Sequence, residues 1–270
     1  MSLLIDIGNT RIKIGYAGSD GRRQQQHTLA LPHQQIEAIL PWLEEHGLRP
    51  TQALGISVAS KALMYQLEGL LQHIQCNMSW LDATTPCPLL HNNYEQPDRL
   101  GADRWLAMIG VLAQQHQHRS RPIVHVSFGT ATTIDTIMPA TTCAAQFIGG
   151  LILPGPQLMY DSLADNTAQL GNGLGNITAF PLATRSAISS GVAAAQSGAV
   201  LRQWQLAWQQ HRGTPLLVCS GGGWDLIQEE IQNAYQQQLQ LLHLAVEPVI
   251  WQPMPVLDGL AYMTTSFRNP

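Results

Sequence analysis

Several apolar runs along the chain are followed by a glycine. Residues 3–7 are almost continuously apolar, as in a strand covered on both faces. Residues 11–18 alternate between apolar and polar with a period of two, and the turn residues "SDG" follow them. The stretch "DIGNT" between the two runs is therefore predicted to form the tight turn of a β-hairpin.

The same pattern returns in "RPIVHVSFGTATTIDTIM", which predicts a buried strand, a glycine turn and a second strand. Aligning Gly8 with Gly129 places Ser127 at the position of Asp6. The two glycines are separated by a little less than half of the 270-residue chain. This spacing predicts a duplicated domain with a cleft between the copies. The predicted domains are residues 1–118 and 119–270.

Helices and further strands are predicted around the two hairpins. Residues 33–47 have helical spacing, and Pro41 inside them implies a kink or a late start. Further buried strands are predicted at 53–60, 149–156 and 215–223, and further helices at 62–74, 100–117, 186–210 and from 255 onward. The glutamine-rich segments 23–27 and 235–240 are predicted as solvated helix faces and loops. Alternating strands and helices of this kind indicate an α/β protein.

Composition narrows the class of protein. The chain is 45% hydrophobic and 12% charged with a net charge of −4, which favours a compact globular protein over a disordered one. The same charge disfavours nucleic-acid or anionic-membrane binding, yet it leaves room for a small anion held by backbone amides. The four cysteines form no CxxC pair, and neither a signal peptide nor a membrane-length apolar run is seen. We expect a soluble, cytoplasmic protein with reduced thiols.

The two predicted glycine turns suit an anionic ligand, because exposed backbone amides and small polar side chains lie close together there. Donor side chains are supplied by Asn9, Thr10, Lys13, Thr130, Thr132 and Thr133. Asp6 could hold a divalent cation, since Mg²⁺ takes few carboxylates and fills its shell with phosphate oxygens and water. The alternative is an ordinary pair of hairpin turns, where Gly, Asn and Thr are common.

A third glycine turn, "CSGGGW", follows a predicted strand and precedes a helix. Such a turn suits an adenine or ribose lying against bare backbone, or it is only a tight strand-to-helix connection; both interpretations stay open. Neither a P-loop nor a GxGxxG motif after the first strand occurs. The seven tryptophans are interpreted as core and interface residues rather than base-stacking platforms.

The acid of "LGADRW" is a candidate catalytic residue. Asp103 opens a predicted helix beside Arg104. Phosphoryl transfer to a hydroxyl uses a carboxylate that orients the nucleophile and accepts its proton, and a guanidinium can bind a substrate carboxylate. An aspartate near a helix N-terminus is also common as a cap or dipole partner. The local sequence alone favours the cap.

Taken together, "DIGNTRIK", "GADRW", "FGTATTID", "GGLILPG", "SGGG" and "LDGLA" resemble the type III pantothenate kinases, in particular the Bvg accessory factor homologues. The resemblance runs in order from residue 3 to about residue 262. It implies two ribonuclease-H-like α/β domains of the acetate kinase, sugar kinase and actin superfamily with a central cleft. It also implies ATP-dependent phosphorylation of pantothenate to 4′-phosphopantothenate, the first step of coenzyme A synthesis. It further implies Mg²⁺, a monovalent cation (K⁺ or NH₄⁺), and an obligate homodimer with the substrate site at its interface.

The resemblance also assigns roles to individual residues. Asp6 matches the metal-linked acid, and Asp103 matches the general base on the pantothenate hydroxyl. The implied phosphate- and ATP-binding residues are Gly8, Asn9, Thr10, Lys13, Gly129, Thr130, Thr132, Thr133, Gly221 and Gly222. The implied substrate residues are Tyr94, Gly101, Arg104 and, lent by the partner subunit, Thr184.

One residue departs from the family pattern. The family usually reads Asp-Phe-Gly-Thr-Ala, and Ser127 stands in place of that first acid. A hydroxyl is a weaker ligand for a hard cation, and Asp135, eight residues further on, does not obviously replace it. A weakly active or non-catalytic accessory member, or an enzyme acting on another small hydroxyl substrate, is therefore the alternative function.

Overall fold

The computed structural model of the chain describes residues 1–140, 144–165, 173–211 and 213–266, with the side chains of 164, 165 and 266 excepted. By its internal contacts the chain divides into two compact units. Unit 1 comprises 1–118, 142–146 and 254–270, and unit 2 comprises 119–141 and 147–253. The two domains predicted from the repeat, and the cleft between them, stay predictions.

Strands and helices alternate through both units. The strands are β1 (Ser2–Ile7), β2 (Arg11–Ala17), β3 (Arg23–Pro32), β4 (Gln52–Ser57), β5 (Asn77–Trp80), β6 (Leu90–Asn92), β7 (Ile123–Phe128), β8 (Ala131–Met138), β9 (Ala145–Pro154), β10 (Leu216–Ser220) and β11 (Ile250–Trp251). The α-helices are α1 (Ile39–Glu45), α2 (Lys61–His73), α3 (Ala102–Gln114), α4 (Pro156–Asp165), α5 (Thr184–His211), α6 (Gln228–Leu241) and α7 (Pro255–Ser266).

The sheet of unit 1 has the strand order β3-β2-β1-β4-β5. β1 pairs antiparallel with β2, as predicted from the hairpin, and parallel with β4. Every residue of β1 is buried, which explains its uninterrupted apolar sequence. Parallel neighbours need a crossover connection, and α1 and α2 supply residues that bury the sheet in one apolar core.

The sheet of unit 2 repeats this plan. The strands of this unit have the order β11-β10-β7-β8-β9. β7 pairs antiparallel with β8 and parallel with β10, and β11 is parallel to β10. β7 to β11 therefore occupy the same places as β1 to β5. The predicted duplicated α/β fold is confirmed.

The last helix belongs to unit 1 by its contacts. The Arg23 guanidinium donates a 2.6 Å hydrogen bond to Asp258 on α7, and both side chains are buried. α7 also crosses α3 closely, because a side chain at Gly110 or Gly259 would collide with the backbone of the opposite helix. A buried ion pair and a glycine crossing thus fix the end of the chain against the first sheet.

Two local predictions have different outcomes. Pro41 is the third residue of α1, and a 3₁₀ turn at His33–Ala38 precedes the helix, so the late start is confirmed. The glutamine-rich segment 23–27 was wrongly predicted as helix face or loop, because it lies in β3. β3 is the edge strand of its sheet, where polar side chains meet solvent.

No α-helix in the described ranges is long and apolar enough to cross a membrane. The cytoplasmic location stays a prediction.

Candidate active site

The first glycine turn joins β1 to β2. The N–H of Gly8 donates a 3.0 Å hydrogen bond to the carbonyl of Arg11, which closes the turn. Asn9 and Thr10 stand exposed at its tip. Two of the predicted phosphate-contact residues are therefore exposed at the tip of this turn.

Behind this turn lies a carboxylate that the fold buries. Asp6 faces Lys13 across the hairpin, and Nζ of Lys13 is 3.5 Å from Oδ2 of Asp6. The Asp6 side chain is 6% exposed and that of Lys13 is 40% exposed. Burial raises the pKa of Asp6, the Lys13 charge lowers it, and the nearby Asp103 charge raises it further. The structure thus brings the charges of Asp6, Asp103 and Lys13 into one electrostatic cluster.

Asp103 is placed by the first turn of α3. Gly101 is the N-cap residue, and Oδ1 of Asp103 accepts a 2.8 Å hydrogen bond from the N–H of Arg104. A side chain at Gly101 would come within 2.6 Å of that same oxygen. The absence of a side chain at Gly101 therefore leaves room for the Asp103 carboxylate. Asp103 therefore has a contact at the helix terminus, and its charge acts on Asp6.

The predicted pocket residues of unit 1 also lie together. Arg104 is buried, and its guanidinium carbon is 5.9 Å from the centre of the Tyr94 ring, as in a cation–π contact. The N–H of Tyr94 donates a 3.0 Å hydrogen bond to Oδ1 of Asn92. Thr184 lies in unit 2 as the first residue of α5, where it is exposed.

The second glycine turn joins β7 to β8. The N–H of Gly129 donates a 3.0 Å hydrogen bond to the carbonyl of Ala131, and Thr130 is exposed at the tip. Thr133 is half-buried. Thr132 is completely buried, and its hydroxyl has no hydrogen-bond partner among the described residues. Its predicted contact with phosphate stays a prediction.

Equivalent cross-strand positions of the two hairpins differ in charge. Asp6 faces Lys13 in the first hairpin, and Ser127 faces Thr133 in the second. An acid and a cation in unit 1 are therefore matched by two hydroxyl groups in unit 2. The second hairpin carries no charge at this position.

Backbone segments that carry glycines, rather than charged side chains, pack around the second turn. The N–H of Gly155 donates a 2.8 Å hydrogen bond to the carbonyl of Thr130. A side chain at Gly155 would collide with the carbonyl oxygens of Gly129 and Thr130. Gly155 is the last residue of the motif "GGLILPG", but the sequence alone gave it no role. Its position directly after Pro154, the last residue of β9, is the feature that could have marked it.

The third glycine turn packs onto the same backbone. The N–H of Gly223 donates a 2.8 Å hydrogen bond to the carbonyl of Phe128. Gly221 has a φ of +95°, and a side chain there would collide with the backbone of Phe128. The space where Gly222 would carry a side chain is open. Glycine turns from three parts of unit 2 thus meet at residues 128–130.

Two histidines that the sequence did not mark as site residues brace these turns. Nε2 of His33 donates a 2.9 Å hydrogen bond to the carbonyl of Gly8. In unit 2, Nε2 of His125 is 3.0 Å from the hydroxyl of Ser220, which itself donates to the carbonyl of Val126. Burial lowers the pKa of His125 to about 4, so it is a neutral donor.

The donor set limits the kind of metal that unit 1 could hold. Within the part of the chain that the structure describes, no group of three or more His, Cys, Asp or Glu side chains could hold a metal ion. The acids at the first turn could hold only a cation that takes most of its ligands from phosphate and water.

A duplicated five-stranded α/β sheet with a glycine turn at each first hairpin also has matches among solved structures. At the level of fold, a Campylobacter jejuni protein described as a conserved Baf family transcriptional activator matches with a TM-score of 0.59 at 21% identity, covering 99% of this chain and 100% of that one. A Sinorhizobium meliloti protein described as a 2-dehydro-3-deoxygalactonokinase matches with a TM-score of 0.54 at 11% identity, covering all of both chains.

Sequence comparison gives the family. The family model for type III pantothenate kinase matches residues 2–206. The type III pantothenate kinase of Bordetella bronchiseptica is 39% identical over 97% of this chain and 96% of its own. That of Bordetella petrii is 40% identical over 97% of each chain. The chain belongs to the type III pantothenate kinase family.

The buried carboxylate generates a prediction about stability. Because the folded pKa of Asp6 is raised, stability from this group is lost as the pH rises through that pKa. We expect Asp6→Asn to melt at a higher temperature than the parent at about pH 8, and the difference to shrink as the pH falls through the raised pKa of Asp6 and the carboxyl becomes protonated. Thermal unfolding followed by circular dichroism measures this. Asp98→Asn, an exposed acid, is the control and should change neither value; a lower melting temperature for Asp6→Asn at the higher pH would contradict the prediction.

Proposed function

We propose that this chain transfers the γ-phosphoryl group of ATP to the hydroxyl of pantothenate and yields 4′-phosphopantothenate, the first step of coenzyme A synthesis. Family membership gives the reaction. The observation that carries the proposal is the cluster of Asp6, Lys13 and Asp103 at the first glycine turn. It supplies a carboxylate for a cation, a mobile charge for phosphate and a second carboxylate for a proton.

In the proposed reaction the pantothenate hydroxyl oxygen attacks the γ-phosphorus, and ADP leaves as the bond to the β-γ bridging oxygen breaks. Asp103 orients the hydroxyl and accepts its proton. Its carboxylate is held by the Arg104 N–H, which supports a defined orientation. The Arg104 guanidinium, stacked near Tyr94, binds the pantothenate carboxylate. Lys13 and the amides of the first turn bind phosphate oxygens.

Asp6 is the residue we propose for Mg²⁺. Its ionised form is opposed by burial and by Asp103, and a divalent cation would favour that form. A single carboxylate beside a phosphate-binding turn fits the preference of Mg²⁺ for few protein ligands. Bound Mg²⁺ would neutralise charge on the phosphate oxygens.

We propose that the monovalent cation, K⁺ or NH₄⁺, binds weakly at the second turn. The half-buried Ser127 faces the neutral Thr133, so this position offers hydroxyl oxygens and no carboxylate. The same feature favours the alternative of a weakly active accessory member, which the kinase assay below distinguishes.

A homodimer that shares residues at the substrate site is part of the proposal. The segment leading into α5 exposes large apolar side chains, with Phe180 89% exposed and Leu182 fully exposed. Ile152 and Leu158 in the same unit are exposed as well. Exposed apolar groups of this size favour a protein partner, and a second copy of the chain would cover them. Thr184 follows directly and is open to such a partner.

The first prediction concerns catalysis. Purified protein with Mg²⁺-ATP, pantothenate and K⁺ or NH₄⁺ should release ADP and form 4′-phosphopantothenate. Asp103→Asn should lower kcat by about 10²–10⁴-fold, because the proton acceptor is lost, while circular dichroism shows the variant to be folded. Asp98→Asn should retain full activity. Nucleotide binding without turnover under either cation would overturn the kinase proposal.

The second prediction concerns Ser127. Replacing it with Asp adds a charged ligand at the second turn, so Ser127→Asp should lower the K⁺ concentration needed for half-maximal rate. Ser127→Asn is the matched control, since it has the size of Asp without its charge. A titration of rate against K⁺ measures both. Equal cation dependence in the Asp variant and the parent would contradict the metal argument.

The third prediction concerns the shared site. Asp103→Asn and Thr184→Val should each be impaired as homodimers. Co-expressed, they should recover about a quarter of parental activity, because half of the dimers are mixed and each mixed dimer has one intact site of two. Activity of the purified mixed population measures this. Activity no higher than that of the separate variants would show that Thr184 acts within its own chain.

A further inference from the structure

Trp251 differs from the buried tryptophans around it. It ends β11, pairs in register with Cys219 of β10, and is 43% exposed. Its neighbour Trp224 is 4% exposed. Burial of aromatic area is a main source of core stability, so a large ring left this open at a strand end is a candidate binding surface.

The ring is held in place by a stack that begins at the second glycine turn. Phe128, directly before Gly129, stacks on Trp224 with ring centres 5.8 Å apart and planes inclined by 29°. Trp224, directly after Gly223, stacks on Trp251 at 5.5 Å and 15°. The core therefore fixes the plane of Trp251, and a planar ligand meeting it would find a rigid surface.

The surroundings of the ring suit a nucleotide base. Cys219, its partner in the sheet, is followed by Ser220 and the glycines that run into the third turn. The space beside Gly222 is open, and Gly221 lies on the backbone of Phe128. The carboxyl ends of parallel strands are where open α/β sheets bind ligands. A flat apolar ring beside bare backbone favours a heteroaromatic base with little hydrogen-bond selection.

We propose that the indole of Trp251 is the stacking surface for the adenine of ATP, beside the Gly221–Gly222 backbone. The inference rests on the proposed function, since it takes ATP as the nucleotide. It also separates two contributions: the glycine turns bind the phosphates of any polyphosphate, and Trp251 binds only a ligand that carries a base.

The test compares ADP with inorganic pyrophosphate, each with Mg²⁺ and without pantothenate, by isothermal titration calorimetry. Trp251→Ala should weaken ADP about tenfold, as expected for loss of one base–aromatic stack, and leave pyrophosphate within about twofold. Trp251→Phe, which keeps a stacking ring, should recover most of the ADP affinity. Tyr65→Ala removes an exposed aromatic from α2 in unit 1 and should change neither ligand.

Equal weakening of ADP and pyrophosphate would overturn the proposal, because it would indicate damage to the phosphate turns. Unchanged ADP affinity would overturn it as well, and a simultaneous change in oligomeric state would assign the ring to a subunit contact. ADP binding is measured without turnover, so the two proposals can fail separately. If the parent protein does not phosphorylate pantothenate, but Trp251→Ala still weakens ADP binding, only the proposed function is overturned. A kinase whose ADP affinity ignores Trp251 would sink this inference alone.

Discussion

The carboxylate of Asp6 at the end of β1 is the constraint around which the first unit is built. β1 is the central strand and is buried along its whole length, so an acid at its end must be buried too. Burying a lone carboxylate is costly, and the second acid, Asp103, adds to that cost. Lys13 offsets part of it from across the hairpin, while its own side chain stays partly in solvent. A charge kept at the expense of stability is what a catalytic site requires and a structural core does not.

The two units use one hairpin design for different chemistry. In unit 1 the charges of Asp6 and Lys13 dominate the first turn, whereas the equivalent pair in unit 2, Ser127 and Thr133, is neutral. Unit 2 instead gathers backbone from separate glycine turns at residues 128–130. Amides contribute partial positive charge without a net charge that would need burial. The duplication thus left a charged pair at the first hairpin of unit 1 and a neutral pair beside closely packed glycine turns in unit 2.

Local features were predictable from the sequence, and contacts between distant segments were not. Both hairpins follow from a period-two pattern broken by a glycine, which is information held within about ten residues. β3 escaped prediction because its glutamines are those of an edge strand, and edge strands lack the apolar alternation of central ones. The bond from His33 to Gly8 joins residues 25 apart and leaves no mark on either residue type. For Asp103 the local contact with Arg104 was foreseeable. The neighbouring charge of Asp6 comes from a strand almost a hundred residues earlier, so the local sequence could not place the two acids together.

Glycine at Gly155 and Gly221 lets separate backbone segments of unit 2 pack closely, and glycine at Gly101 leaves room for a carboxylate in unit 1. At Gly155 and Gly221 a side chain would collide with the backbone of residues 128–130, and at Gly101 it would displace the Asp103 carboxylate. Glycine loses more conformational entropy on folding than any other residue, and at these positions that cost accompanies a close approach that a side chain would block. The net charge of −4 disfavours nucleic-acid binding. The low positive charge of the chain therefore disfavours nucleic acids, and it is still compatible with a small anion at the glycine turns.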